Sequence, residues 1–268
     1  MDGPPQHDSV DPTPGEARRP RGLRRAGLFV LAFSSGFAVL TIEIAGARLI
    51  APVFGLSAVP WTAVIGVILG ALALGSHYGG RLADAGRVPL SLVLVVAALT
   101  AALPVVGGGV PWLARAAFGF IGGAVASAAV LFAPSVLCLG AVVPYLVQAD
   151  TESLGSVGRR AGDVSAMATA GSIVGSFATG FVLLPLLPLP MLLGLTAVAL
   201  LLLAALSGRI LGGRIRTGPV AAVAAGVIVL VGAASRLPED TLHAEQTLYA
   251  LLRGVRGERR AGARLCGP

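Results

Sequence analysis

Three groups of polar residues stand inside or beside apolar stretches, and each could carry chemistry. The first is the carboxylate of Glu43 in "TIEIAGARLIAPVFG", with Arg48 five positions on. A carboxylate held in apolar sequence takes up a proton or a cation, or is neutralised by an arginine. The second is "LGSHYGGRLADAGR", Leu74 to Arg87. Here Gly79 and Gly80 permit a tight turn, and Asp84 can cap the next helix or pair with Arg81 or Arg87. His77, one turn earlier, reads as a packed interfacial ring before it reads as a proton relay. The third is "GRRAGDVSAMATAGSIVGSFATGFVLLP", Gly158 to Pro185. Gly171, Gly175 and Gly180, with Ala168, Ser176 and Thr179, make a small-residue stripe of the kind that lets helix backbones approach closely. Asp163 stands at the start of this segment, where an acid favours the helix dipole.

These residues need a frame, and the composition says which kind. The chain is 55% hydrophobic and 12% charged, with a mean hydropathy of +0.85. A soluble domain carries about 25% charged residues. Several apolar runs reach the ~20 residues that cross a bilayer, so the lipid bilayer is the expected surrounding. Every one of the 20 basic residues is arginine. The absence of lysine excludes Schiff-base chemistry and a Walker A phosphate loop. The net charge of +7 has no soluble basic domain to carry it, which argues against nucleic acid as a partner. Cys138 and Cys266 give neither metal-ligand spacing nor a disulfide framework. No metal and no cofactor are expected.

The pattern predicts an all-α integral membrane protein of about seven spans: 26–47, 61–80, 88–108, 119–148, 163–185, 189–207 and 218–235. Residues 1–25 read as a disordered leader, and 236–268 as a polar tail. "RRPRGLRR" before the first run resembles the opening of a signal peptide. The run is long and lacks a small-x-small cleavage site, so a retained span is expected. Pro134 and Pro144 predict a kink in the fourth span. "VPWLARAAF", Val110 to Phe118, reads as an interfacial piece with Trp112 at headgroup level, and Trp61 anchors the second span likewise.

Arginine bias orients the spans. With the N-terminus inside, the inner segments hold Arg18, Arg19, Arg21, Arg24, Arg25, Arg81, Arg87, Arg159, Arg160, Arg209, Arg214 and Arg216, against Arg48 and Arg115 outside. Seven spans then put the arginine-bearing tail outside, which conflicts with the same rule. Glu43 falls about 17 residues into the first span, roughly 25 Å from its inner end and near the outer interface. Pro52 is expected to end that helix. Two readings stay open for Glu43. Either it is an interfacial residue satisfied by Arg115, Arg48 or water, or it faces the bundle interior and binds a cation or proton.

Two resemblances add expectations. Gly80, Asp84, Gly86 and Arg87 resemble the inner loop between the second and third spans of major facilitator transporters, one residue short between the acid and the second glycine. The ordered set "FSSGFAVLTIEIAGARLIAPVFG", "WTAVIGVILGALALGSHYGGRLAD", "LCLGAVVPYLVQ" and "GRRAGDVSAMATAGSIVGSFATGFVLLP" is similar to the membrane region of bacterial spermidine synthase-like proteins, the fused major facilitator/spermidine synthase family. That resemblance covers residues 27–235. The family commonly has an Asn-Thr pair where this chain has Ala168 and Thr169. It implies half of a major facilitator-type bundle plus one helix, in the inner membrane. It also implies transport or channelling of a polyamine or related solute. The alternative is a non-transporting anchor or a remnant of a fused aminopropyltransferase. Residues 236–268 are too short for the soluble catalytic domain, which needs on the order of 100–200 residues. Catalysis by this chain is therefore not expected. A separately encoded synthase-like domain or a homo-oligomer are the implied partners.

Overall fold

The computed structural model describes residues 21–150 and 157–211 and the single residue Gly226. The expected seventh span, 218–235, and the tail, 236–268, lie outside the described residues. Among the described residues every regular element is helical. In chain order these are α1 (Arg21–Phe54), α2 (Ala58–Ala85), α3 (Leu90–Ala101), α4 (Leu103–Val106), α5 (Val110–Leu131), α6 (Ala133–Gly140), α7 (Val142–Asp150) and α8 (Val157–Ala178). A π-helical turn, Thr179–Leu183, then leads into α9 (Leu184–Leu186) and α10 (Leu189–Leu211).

Six helical stretches are long and apolar enough to cross a membrane, and 90–106 is a shorter apolar one. The chain is an all-α membrane protein by this measure. Two of the six, Val110–Leu131 and Ala133–Asp150, follow one another along a single neighbour, α2. Ile121 and Val125 lie beside Thr62 and Gly66, Leu137 against Gly75, Ala141 against Gly79, and Gln148 against Ala83. They therefore share one pass. Gly119, at φ 73° and ψ −161°, separates them from Val110–Phe118, where Trp112 is exposed. Glycine is needed there, because that backbone region is closed to residues with a Cβ. With 90–106 counted, the described chain passes through the bundle six times.

The breaks in the fourth pass follow from its prolines. Phe132 and Ala141 separate α5, α6 and α7, just ahead of Pro134 and Pro144. A proline has no N–H to give the carbonyl four residues back. Pro144 thus frees the Gly140 carbonyl, and the Ser76 hydroxyl of α2 donates to it at 3.1 Å. In an apolar setting a neighbouring helix must make good such a loss.

The first helix is longer than the expected span at both ends. It starts by Arg21 rather than after Arg25, because Arg24 and Arg25 find acceptors across the bundle. Pro52 does not end it. The proline sits in the last turn, and the helix stops at Gly55, at φ 75°, whose N–H donates to Ala51 at 2.7 Å. The left-handed cap, open to glycine at no steric cost, is the terminator.

α1 packs on α8, α2 on α5 to α7, and α3 on α10. The α1–α8 pair is parallel and in register: Arg25 meets Asp163 and Thr41 meets Thr179, each pair 138 residues apart. The core beneath is made of large apolar side chains, among them Leu28, Ile42, Phe54, Phe132 and Leu200, all essentially fully buried. Arg24, Arg25, Arg81, Arg87, Arg159, Arg160 and Arg209 gather at one end of the bundle, and Arg48 and Arg115 at the other.

Candidate functional site

The small-residue stripe of α8 does pack, with one exception. A Cβ at Gly171 would overlap the Phe33 carbonyl of α1, and one at Gly175 would lie 2.7 Å from the Phe37 carbonyl. Gly36 of α1 returns the favour, leaving no room for a Cβ beside the Ala168 carbonyl. The Ser172 hydroxyl donates to the Gly36 carbonyl at 3.2 Å. Thr41 and Thr179 share a hydroxyl–hydroxyl bond of 2.9 Å between fully buried side chains. Gly180 does not belong to the stripe. A Cβ there meets nothing within 4 Å, because Gly180 is five residues past Gly175 and Thr179 holds the α1-facing position before it.

Glu43 stands two residues past Thr41 on α1, so it points away from the Thr41–Thr179 contact. On α1 it shares a stripe with Gly36, Leu40 and Ala47 by helical spacing. Gly36 meets α8, while Gly46, three residues after Glu43, meets the Phe132 ring, 3.0 Å from where a Cβ would stand. The Glu43 side chain is half-buried. It has no hydrogen bond or ion pair with any described residue. Neither arginine considered for it serves. Arg48 is exposed. Arg115 donates to the Val53 carbonyl instead, and its guanidinium lies over Phe54 and Phe120, at 6.0 and 5.6 Å. Those two rings meet edge to face at 5.8 Å, so Arg115 is held as a cation–π cap on the far end of α1.

The charged turn departs from expectation in three respects. Gly79 and Gly80 are helical, inside α2; Gly79 is there because a Cβ would run into Ala141. The turn itself is made by Gly86, at φ 62°, whose N–H donates to Ala83 at 3.0 Å. Asp84 neither caps α3, whose first-turn cap is Pro89, nor pairs with Arg81 or Arg87 among the described residues. It stands on the last turn of α2, where helical spacing turns it toward α7 and α8. There it lines an open cavity of about 620 Å³ with Ser76, Gly80, Gln148 and Ser165. His77 is exposed, with its ring edge-on to Tyr78 at 5.3 Å.

Asp163 is not an N-terminal acid of its helix. It lies more than a turn inside α8, and Arg25 Nη2 donates to its Oδ2 at 2.7 Å. Beside it is a residue that sequence reasoning missed. Asp150 ends α7 and is 7% exposed. Arg160 Nη1 lies 3.5 Å from its Oδ1, and Arg25 Nε 3.8 Å from its Oδ2, an oxygen without a hydrogen bond among the described residues. Arg24 donates to the Ala149 carbonyl next door at 3.0 Å. This arginine–aspartate cluster ties α1, α7 and α8 at the arginine-rich end. In "VQADTESLG" the acid reads as the first residue of a loop. Its only signal was its position at the end of a span opposite an arginine-rich leader.

Comparison with family models, with curated proteins and with solved structures gives no match for this chain.

Proposed function

We propose that this chain is a multi-pass module of the cell's inner membrane that accepts a small cation, such as a polyamine, at Glu43. The observation that carries the reading is the Glu43 carboxylate itself. It lies within a membrane-crossing helix, half-buried, with no partner among the described residues. A carboxylate kept there without an arginine calls for a mobile cation or a proton.

The order of helix packing supports a transporter-like frame. Pass one packs on five, two on four, and three on six. Two three-helix repeats related by an axis in the membrane plane would exchange the first two pairs and map the third onto itself, as in one half of a major facilitator bundle. The arginine distribution supports an N-terminus on the cytoplasmic side. Kinship with the spermidine synthase-like membrane region rests on the sequence motifs alone.

The test is spermidine binding to the purified full chain in neutral detergent. Wild type binds, and Glu43→Gln weakens binding about tenfold or more, since a charged hydrogen-bond partner is lost at constant shape. Equal binding by both proteins would remove Glu43 from the site. No binding by wild type would leave a non-transporting anchor as the better reading.

A further inference from the structure

At the arginine-rich end a second cavity, of about 260 Å³, opens between α1, α7, α10 and the start of α3. Its polar lining is Arg24, Ser91, Tyr145, Gln148 and Ser207, and no Asp or Glu among the described residues lines it. Most of these groups are already engaged. Tyr145 donates to the Val88 carbonyl, Gln148 to Ala83, and Ser207 to Ala204. Two are not. Arg24 gives one bond, to the Ala149 carbonyl, and has no carboxylate within ion-pair reach among the described residues. In this it differs from Arg25 and Arg160. Ser91 is 6% exposed, and its hydroxyl bonds to no described residue.

Ser91 and Leu90 are the first two residues of α3, a 12-residue helix. Their N–H groups have no carbonyl a turn back within the helix, so this end of α3 presents free donors and the positive pole of its dipole. A guanidinium without a carboxylate, an unpartnered hydroxyl and a helix N-terminus around one cavity without a described acid share a single complement, which is a phosphate group.

We propose that this cavity binds phosphate, held by Arg24, the Ser91 hydroxyl and the start of α3. The phosphate comes from an anionic lipid headgroup or from a free phosphate. Basic pockets between membrane helices take lipid headgroups. Leu90 and Leu211 on the wall offer apolar surface to the rest of a lipid.

The full chain, purified in neutral detergent, is tested with phosphatidylglycerol by native mass spectrometry and with inorganic phosphate by calorimetry. Retention of phosphatidylglycerol over phosphatidylcholine is expected if the source is lipid, and saturable phosphate binding if it is free phosphate. Either result supports the site only if Arg24→Gln weakens it about tenfold and Ser91→Ala several-fold, since a charge-assisted and a neutral hydrogen bond are lost respectively. Arg209→Gln, an exposed arginine at the same end but outside the cavity, should bind as wild type does. Binding of neither probe overturns the proposal. So does binding that survives Ser91→Ala unchanged, which stays decisive if Arg24→Gln fails to fold.

Discussion

Gly171→Ala destabilises the detergent-solubilised protein by about 2 kcal/mol or more, whereas Gly180→Ala leaves it within about 0.5 kcal/mol of wild type. The added carbon is the same in both. At Gly171 it overlaps the Phe33 carbonyl, which belongs to a helix backbone and cannot move aside without separating α1 from α8. At Gly180 it enters open space. In lipid there is little hydrophobic drive to bring helices together, so association rests on close backbone approach and on polar pairs such as Thr41–Thr179. Thermal unfolding of the two variants measures the difference. Equal midpoints would mean that α1 and α8 do not pack through this stripe.

Asp150→Asn should cost about 2 kcal/mol. Removing one partner of a buried ion pair costs about 3–5 kcal/mol. Arg25 is nearly half exposed and keeps Asp163, so its share is screened and the figure falls below that range. Arg160 is the more buried arginine, at 19% side-chain exposure, and carries the larger part. Asparagine keeps the shape, so the loss is one of charge. A double-mutant cycle with Arg160→Gln, read by unfolding in detergent, should give a coupling of about 1 kcal/mol. A neutral or stabilising Asp150→Asn would mean that the cluster does not hold the three helices.

The spans were legible because apolar length is written locally. The first six passes fall where the sequence put them, and the breaks near Pro134 and Pro144 follow from a missing N–H that any reader can see. Residues whose roles depend on a distant neighbour were not legible. Gly79 looks like a turn glycine beside Gly80 and Gly86, yet it is small because Ala141, on another pass, leaves no room. Gly180 belongs to the same glycine-rich run as Gly171 and Gly175, but it is five residues past Gly175 rather than four, and Thr179 takes the place on the α1 face instead. Asp150 and Arg25 are separated by most of the described chain, and one sequence shows no sign that they meet. Glu43 was visible as an oddity. What the structure adds is that the arginines able to neutralise it are occupied or point elsewhere.

The placement of the arginine-rich end inside the cell is tested most directly by single-cysteine labelling in a chain with Cys138 and Cys266 changed to alanine. A cysteine at Leu187, in the turn between α9 and α10, and one at Gly158, near the start of α8, mark the two ends of the bundle. With an impermeant maleimide on intact cells, Leu187→Cys should label at once, and Gly158→Cys only after permeabilisation. Labelling of Gly158→Cys from outside, with Leu187→Cys protected, would contradict both the orientation and the arginine argument beneath it.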